Sequence, residues 1–577
     1  MHFVNGGRCL PMAPDIPPQD CPNGWTATDA GGCVPDRPPS ECPAGEFPVL
    51  AQGCARVSSC DPYSDNQIRE IFATDATIWR VEPGELSAKI LEAAPGDLLA
   101  LAAGEYVGQF DVSGLTLVGV CAAQTLIRSE APSTEVGALN ATIGLAEIHD
   151  LAVSGNAIGV WIAGGAEVEL RNVEVRAARR IGIRVAGGAS ANLASVWVHD
   201  MLPSFEDDSF GRGIQVSADS SATLEDVTIQ RVRDIGLVAI GAGASIEFTN
   251  VAIASVTENE DPSAPGVGVQ AFSGAASVTG TLLGIWDTQS GALVSSGGRV
   301  DVEDVYIEGL AVPDTFATEV RGALRSIGVA TLDVRGATVE AVEGPALQVD
   351  AHGEATISGL RVSNITGPLV SAEELGTAVL SQVVSAVPTL LLAANGADIT
   401  FENSELRAIS ETAALEVSNA SSVALRQCSV LAAGPAAVVT GSTFDTEDVM
   451  FEANDGVTLS GQGTWVRTAL VVVGSGLDVL GTFYGTDLEL TVGEDPAISI
   501  SGGRSGPSEL GSSYVGGTIE LRDGEFEVHD SVLDSPEVAA EVRGGELRLQ
   551  RVVVVGSARA IVSGGALVDG AESLVVE

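Results

Sequence analysis

Lysine is almost missing: Lys89 is the only one in 577 residues, and 29 basic side chains face 77 acidic ones, a formal net charge of −48. A field of that sign repels phosphate backbones and anionic lipid, which excludes nucleic-acid binding by counterion release. It otherwise reads as solubility, a self-repelling chain kept monomeric. Aromatic residues make up only 4%. The five histidines are scattered, and His149, His199, His352 and His529 read as turn or surface residues that cannot converge on one metal. No apolar run approaches the roughly 18 residues of a membrane span. The opening MHFVNGGRC shows no apolar signal segment. There is no G-x-S-x-G elbow, P-loop or H-E-x-x-H motif.

What the chain does contain is a repeated pattern. Hydrophobic residues reach 45% and glycines number 68, arranged as short alternating runs broken by GG, SG and NG pairs, the sign of strands joined by tight turns. LRNVEV around Asn172, LEDVTI around Asp226, FTNVAI around Asn250 and VEDVYI around Asp304 repeat one another. With the small polar position as a register mark, the marks fall at Asp150, Asn172, Ser195, Asp226, Asn250, Gly280, Asp304, Gly336 and Gly359. Spacings of about 22–24 residues, with three longer ones near 30, describe a solenoid whose repeats bury their apolar faces on one another. Further marks follow at Gln382, Asn403, Gln427, Asp448, Thr468, Asp487, Asp530 and Arg551. Up to Gly359 no two acidic marks are adjacent, as expected where like charges would stack about 4.8 Å apart.

Six of the eight cysteines (Cys9, Cys21, Cys33, Cys42, Cys54, Cys60) precede residue 61, whereas Cys121 and Cys428 are isolated and read as buried, inert thiols. Without CxxC pairs or nearby histidines, zinc is a poor fit. The units C-P-N-G-W…G-G-C and C-P-A-G-E…Q-G-C repeat each other. The expected pairing is therefore Cys21–Cys33 and Cys42–Cys54, leaving Cys9–Cys60, one of fifteen arrangements that six cysteines allow. Disulfides place the chain in an oxidising, extracytoplasmic compartment, secreted or at a cell surface.

The organisation expected is a Cys/Pro/Gly-rich leader over residues 1–60, a helix-containing cap and first coils over 61–130, and a β-helix over 131–577. The only plausible helices are SDNQIREIFA and PGELSAKILEAA. After them, Ile90, Ala94-Pro95-Gly96-Asp97, Leu99, Leu101, Gly104, Tyr106, Gly114-Leu115-Thr116-Leu117 and Gly119 resemble the opening segment of right-handed parallel β-helices of the pectin-lyase-like superfamily. The fold class is all-β: a long right-handed parallel β-helix of about eighteen coils, with a short N-terminal helical cap and a disulfide-rich leader.

The three long spacings are DMLPSFEDDSFGR, TENEDPSAPG and AVPDTFATEVRG, each preceding a strand of the G-I-Q-V type. In the resembled superfamily, loops at this turn wall a substrate cleft. Alternation turns Trp161, Arg184, Gln215, Val238, Gln270, Val294, Arg325 and Gln348 outward on successive coils. Trp161, Arg184, Gln215, Gln270 and Arg325, with Arg212, Asp207 and Asp208 from the first loop, form the expected binding face. Long surface loops are also tolerated without any ligand. The superfamily's lyases imply a basic residue, and only Arg184, Arg212 or Arg325 is placed to serve. Their W-I-D-H run is replaced by Trp197-Val198-His199-Asp200, so no role carries over. Asp207-Asp208 with Glu258, Glu260 or Asp261 leaves room for calcium, although neither loop has a ligand-spaced motif; no other cofactor is implied. The reading leans away from catalysis, toward a binding face for polysaccharide or a cell-surface partner. The alternatives are a carbohydrate-active lyase or hydrolase with a cleft under the loops, and a purely structural rod.

Overall fold

The computed structural model describes residues 20–28, 31–72, 76–133, 135–206, 208–258, 266–311, 322–493, 496–501, 508–535 and 538–555, and the backbone of short strands at 2–3, 9–10, 560–562, 566–569 and 574–576. It divides into two compact units, Gln19–Gly344, and Pro345–Glu577 with Met1–Pro18. Both are parallel β-solenoids.

In Gln19–Gly344 each coil contributes strands that pair in parallel with their counterparts one coil on. The inward residue of one strand runs Leu99, Leu117, Ile148, Leu170, Leu193, Leu224, Phe248, Gly280, Val302 and Val334 in strict register. Apart from the glycine, every member is at most 1% exposed. Such a column is why one repeat cannot fold alone: burying each of these side chains stabilises by about 1.5–3 kcal/mol, but only when the next coil covers it.

The register marks are the corners where the chain leaves one strand for the next. Asp150, Asn172, Ser195, Asp226, Asn250 and Asp304 all have φ between +51° and +61°, the left-handed region that Asn, Asp and Gly enter most cheaply. Acid and amide alternate here because the amides donate: Asn172 Nδ2 to Asp150 Oδ1 at 3.0 Å and Asn250 Nδ2 to Asp226 Oδ1 at 2.6 Å. One mark is misplaced. The corner after Asn250 is Leu282 (φ +60°), not Gly280. Gly280 sits two residues earlier, under the Phe248 ring, where an added Cβ would lie 2.5 Å from the ring carbons. Its glycine makes room for a large neighbour.

The expected helices form. α1 (Asp65–Ile71) opens with a capping box between Ser64 and Gln67, and α2 (Leu86–Glu92) follows Pro83-Gly84. Their buried Ile68 and Leu86 are at most 1% exposed. Among the described residues no helix is long and apolar enough to cross a membrane.

The leader forms two antiparallel hairpins, Trp25–Ala27 with Cys33–Pro35 and Glu46–Val49 with Gly53–Arg56. The disulfides Cys21–Cys33 and Cys42–Cys54 close them as expected. Cys60 does not pair with Cys9; it is bonded to Cys121, which is therefore no inert thiol. The side chain of Cys9 lies outside the described residues. The leader lies along one flank of the solenoid. That flank's outward column runs Ala152, Glu174, Trp197, Thr228, Ala252, Gly284, Tyr306 and Thr338. Phe47 packs on Ala122, Ala152 and Trp197, and Trp25 and Leu50 pack on Ala252, Ala254, Trp286 and Tyr306. Thr228 Oγ1 donates to Pro48 O (2.6 Å) and Gln230 Nε2 to Pro39 O (3.1 Å). A Cβ at Gly284 would meet Leu50 at 2.8 Å. Leu282 packs against the same cluster, which explains a leucine at a costly corner.

In Pro345–Glu577 the corners continue at Gln382, Asn403, Gln427, Asp448, Asp487, Asp530 and Arg551, all with positive φ. Thr468 is one residue late: the corner is Arg467 (φ +46°), whose Nε donates to Asp448 Oδ1 at 2.6 Å. Ser512 (φ +51°) is a further corner between Asp487 and Asp530. The core of this unit holds a cluster of aromatics in contact, Phe444, Phe451, Trp465 and Phe483, mostly tilted or edge-to-face, with centroid separations of 5.5–6.3 Å.

Candidate functional site

The outward column expected to bind a ligand is in register: Trp161, Arg184, Gln215, Val238, Gln270, Val294 and Arg325 pair in succession. It is not one polar strip. Val238 (0% exposed) and Val294 (2%) are buried with Ile235 and Val267 in an apolar cluster, which interrupts the face at its middle. Gln215 is only 8% exposed, and its amide is engaged by Arg212 and Ser217 at 2.9 and 3.1 Å. Arg212 in turn is ion-paired with buried Asp234 at 2.5 Å. Both hold the first loop in place more than they face solvent. Half-buried Gln270 lies between Val238 and Val294, and half-buried Arg325 follows Val294.

Of the loop residues, Asp208 is exposed at φ +52°. Asp207, Glu260 and Asp261, and most of the second and third loops, lie outside the described residues. Among the described residues no group of three or more His, Cys, Asp or Glu side chains could hold a metal ion.

Arg184, paired in register with Trp161, lies within electrostatic reach of Arg180 and Glu135, which line a denser feature. A recess of about 370 Å³ is lined by Glu135, Val136, Asn156, Arg179, Arg180, Ser204, Phe205 and Glu206. The first loop reaches it by seating aromatics on arginines: Phe205 lies 3.4 Å from the Arg179 guanidinium, and Phe210 lies 4.6 Å from that of Arg180 and 4.7 Å from that of Arg212. Arg180 is at a positive-φ position (+70°), and its carbonyl accepts from the amides of Gly211 and Arg212, both at 2.9 Å, closing the loop's far end. Phe205 remains 56% exposed.

The electrostatics here oppose those of the chain as a whole. Burial, with Arg180 beside it, pushes the Arg184 guanidinium below its ordinary range, and Glu135 only partly offsets this. Three buried donor atoms, Trp161 Nε1, Arg179 Nε and Arg184 Nε, have no hydrogen-bond partner. Leaving such a donor unsatisfied costs about 1–3 kcal/mol, more when it is charged. Three arginines, Arg179, Arg180 and Arg184, stand here against two carboxylates, Glu135 and Glu206, and guanidinium groups are suited to holding a negatively charged group.

The alternation identified Trp161 and Arg184 but missed Arg179, Arg180, Phe205 and Glu135. Two consecutive arginines in so acidic a chain were the available signal. A second missed cluster lies on the leader's flank. His199, 6% exposed, is not a surface residue. It sits between Asp200 Oδ2 (2.6 Å from Nδ1) and Glu174 Oε1 (2.9 Å from Nε2), stacked on Trp197 at 4.0 Å. Arg231 pairs with Asp200 at 2.6 Å and donates to Ser40 O at 3.4 Å. This network anchors the leader. His149 is likewise buried, at 6% exposure.

No protein-family model and no curated protein matches the chain. Solved structures similar to it include the catalytic domain of a GH87 alpha-1,3-glucanase in complex with tetrasaccharides, at 11% identity and a TM-score of 0.35, covering 67% of this chain and 66% of that one, just under two thirds of its length. The catalytic unit of the GH87 alpha-1,3-glucanase from Streptomyces thermodiastaticus strain HF3-3 matches at 12% identity and a TM-score of 0.31, covering 68% and 70%. An alginate lyase from Paenibacillus sp. str. FPU-7 matches at 15% identity and a TM-score of 0.27, covering 53% of this chain and 93% of that one. These neighbours are carbohydrate-active enzymes; likeness at this level assigns neither activity nor substrate to this chain.

Proposed function

We propose that this is an extracytoplasmic, carbohydrate-directed β-helix protein whose arginine corner holds a negatively charged segment of a polysaccharide. The observation that carries this is a 370 Å³ recess lined by Arg179 and Arg180, with Arg184 in electrostatic contact with Arg180 and unpartnered donor atoms at Arg179 and Arg184. A uronate carboxylate accepts from a guanidinium in two parallel hydrogen bonds, and the exposed Phe205 ring offers an apolar surface to a sugar face. The three disulfides fit an oxidising compartment.

The test is affinity electrophoresis in gels containing polygalacturonate, alginate or a neutral α-glucan. The expected result is retardation by a polyuronate, lost in Arg179→Ala and Arg184→Ala, with no retardation by the glucan. No retardation by either polyuronate, or equal retardation of the variants, contradicts the proposal.

A second reading, cleavage of the held chain, is favoured by one observation, the lowered Arg184 guanidinium. In that reaction a base at this corner takes the proton α to the uronate carboxylate. The C–H electron pair would then form the C=C bond as the glycosidic oxygen leaves and takes a proton from water. Ultraviolet absorbance of an unsaturated product, present in the native protein and abolished in Arg184→Ala, separates cleavage from binding.

A further inference from the structure

The recess at the arginine corner carries two acidic side chains that the binding of an anion does not account for. Glu135 and Glu206 both line it, and both are exposed. They come from separate segments, yet one device fixes each backbone. Ser133 Oγ accepts from the amide of Glu135 at 3.3 Å, and Ser204 Oγ accepts from that of Glu206 at 3.2 Å. Neither carboxylate is within hydrogen-bond or ion-pair distance of a described residue, although Arg179 and Arg180 line the same recess. Arg179 instead donates from Nη1 to Pro203 O at 3.0 Å with Phe205 over its guanidinium, and Arg180 lies against Phe210.

Ionised carboxylates only accept hydrogen bonds. Two of them at an anion site repel the ligand unless the ligand also brings donors. A sulfate or phosphate ester brings acceptors alone. A uronate residue brings one carboxylate for the arginines and ring hydroxyls whose protons suit the glutamates. The charges match as well: Arg179, Arg180 and Arg184 against Glu135 and Glu206 leave one net positive charge, which one carboxylate neutralises. We infer that Glu135 and Glu206 determine specificity at this site by accepting hydrogen bonds from the ring hydroxyls of a uronate held on the arginines. The recess then takes uronates with free hydroxyls and discriminates against O-acetylated and sulfated glycans, which leave a carboxylate facing no donor. The inference rests on the polyuronate reading above and names the substrate class within it.

Isothermal titration of the full chain at one fixed salt concentration tests it, with trigalacturonate, O-acetylated trigalacturonate and a sulfated dextran oligosaccharide as ligands. Trigalacturonate is expected to bind tightest. Glu135→Gln and Glu206→Gln should each weaken it about fivefold, the difference between a charged and a neutral acceptor. The same variants should bind sulfated dextran as well as the native chain or better, because a repelling charge has gone. Opposite signs for the two ligands separate hydroxyl recognition from attraction of charge. Both glutamates are exposed, so the variants should melt with the native chain. Trigalacturonate affinity unchanged or raised in either variant, acetylated trigalacturonate bound as tightly as the unmodified sugar, or sulfated dextran bound more tightly than trigalacturonate would overturn the inference. Binding that is lost in Arg179→Ala but unmoved in the glutamate variants removes this inference and leaves polyuronate binding standing, whereas no binding of trigalacturonate to the native chain removes both.

Discussion

Replacing Phe47 with alanine should release the leader from its flank while leaving the solenoid wound. Phe47 is 4% exposed and packs on Ala122, Ala152 and Trp197, its ring centroid 6.0 Å from that of the indole. Truncating a buried phenylalanine to alanine costs about 3–5 kcal/mol. Nearly all of that cost should fall on the opening of the second hairpin, because the Cys60–Cys121 bond keeps the detached leader tethered. At about tenfold per 1.4 kcal/mol, amide exchange in Glu46–Val49 should accelerate by roughly a hundred- to a few thousand-fold. Trp197, now 7% exposed, should shift its fluorescence to the red. Exchange in the strands Leu145–Gly155 and Glu167–Ala178 should stay within a few-fold of the native protein. Unchanged exchange in Glu46–Val49, or acceleration spread evenly over the solenoid strands, would refute the view of the leader as a separately docked strap.

Three further outcomes follow from the same contacts. Removing the Cys42–Cys54 bridge by paired serine substitution should destabilise leader docking by about 3 kcal/mol, the chain entropy of a loop of that length, read by exchange in the same hairpin. Asp200, hydrogen-bonded by Arg231 and then by His199, has its pKa pulled down to about 2; its contribution is complete above the ordinary carboxylate range near pH 4 and is lost as pH falls toward 2, so a pH series of melts should show a shallower acid loss in Asp200→Asn than in the native chain. Gly280→Ala should lower stability by about 1–3 kcal/mol, because its Cβ meets the Phe248 ring, whereas the double variant Gly280→Ala with Phe248→Leu should recover part of the loss in a denaturant titration.

The winding was legible because parallel coils force one residue type onto one vertical line. Asn172, Asp226 and Asp304 could be read as stacked corners from spacing alone, since left-handed backbone favours Asn and Asp. The same reasoning failed at Gly280, where glycine answered a packing need, and at Leu282, where contact with the leader's cluster outweighed the cost of a β-carbon at positive φ. Outward alternation placed Trp161 and Arg184 correctly. It could not show that Val238 and Val294 are covered, because periodicity reports which way a side chain faces and not what lies over it. The leader's docking was hidden for the same reason, although Trp197, Trp286 and Tyr306 at outward positions of an aromatic-poor chain were its trace. Cys121 was missed as a partner because sequence distance says nothing of proximity once the chain folds back along its own coils.

The account rests on a basic corner in an acidic protein, and the salt dependence of its ligand affinity tests that most directly. Titration of the native chain with trigalacturonate at low and at high sodium chloride should show marked weakening with salt, as charge-assisted contacts at a partly exposed site are screened, and Arg184→Ala should show weaker binding with a flatter salt response. Affinity that is indifferent to salt, or equal in the native and Arg184→Ala proteins, would contradict the account.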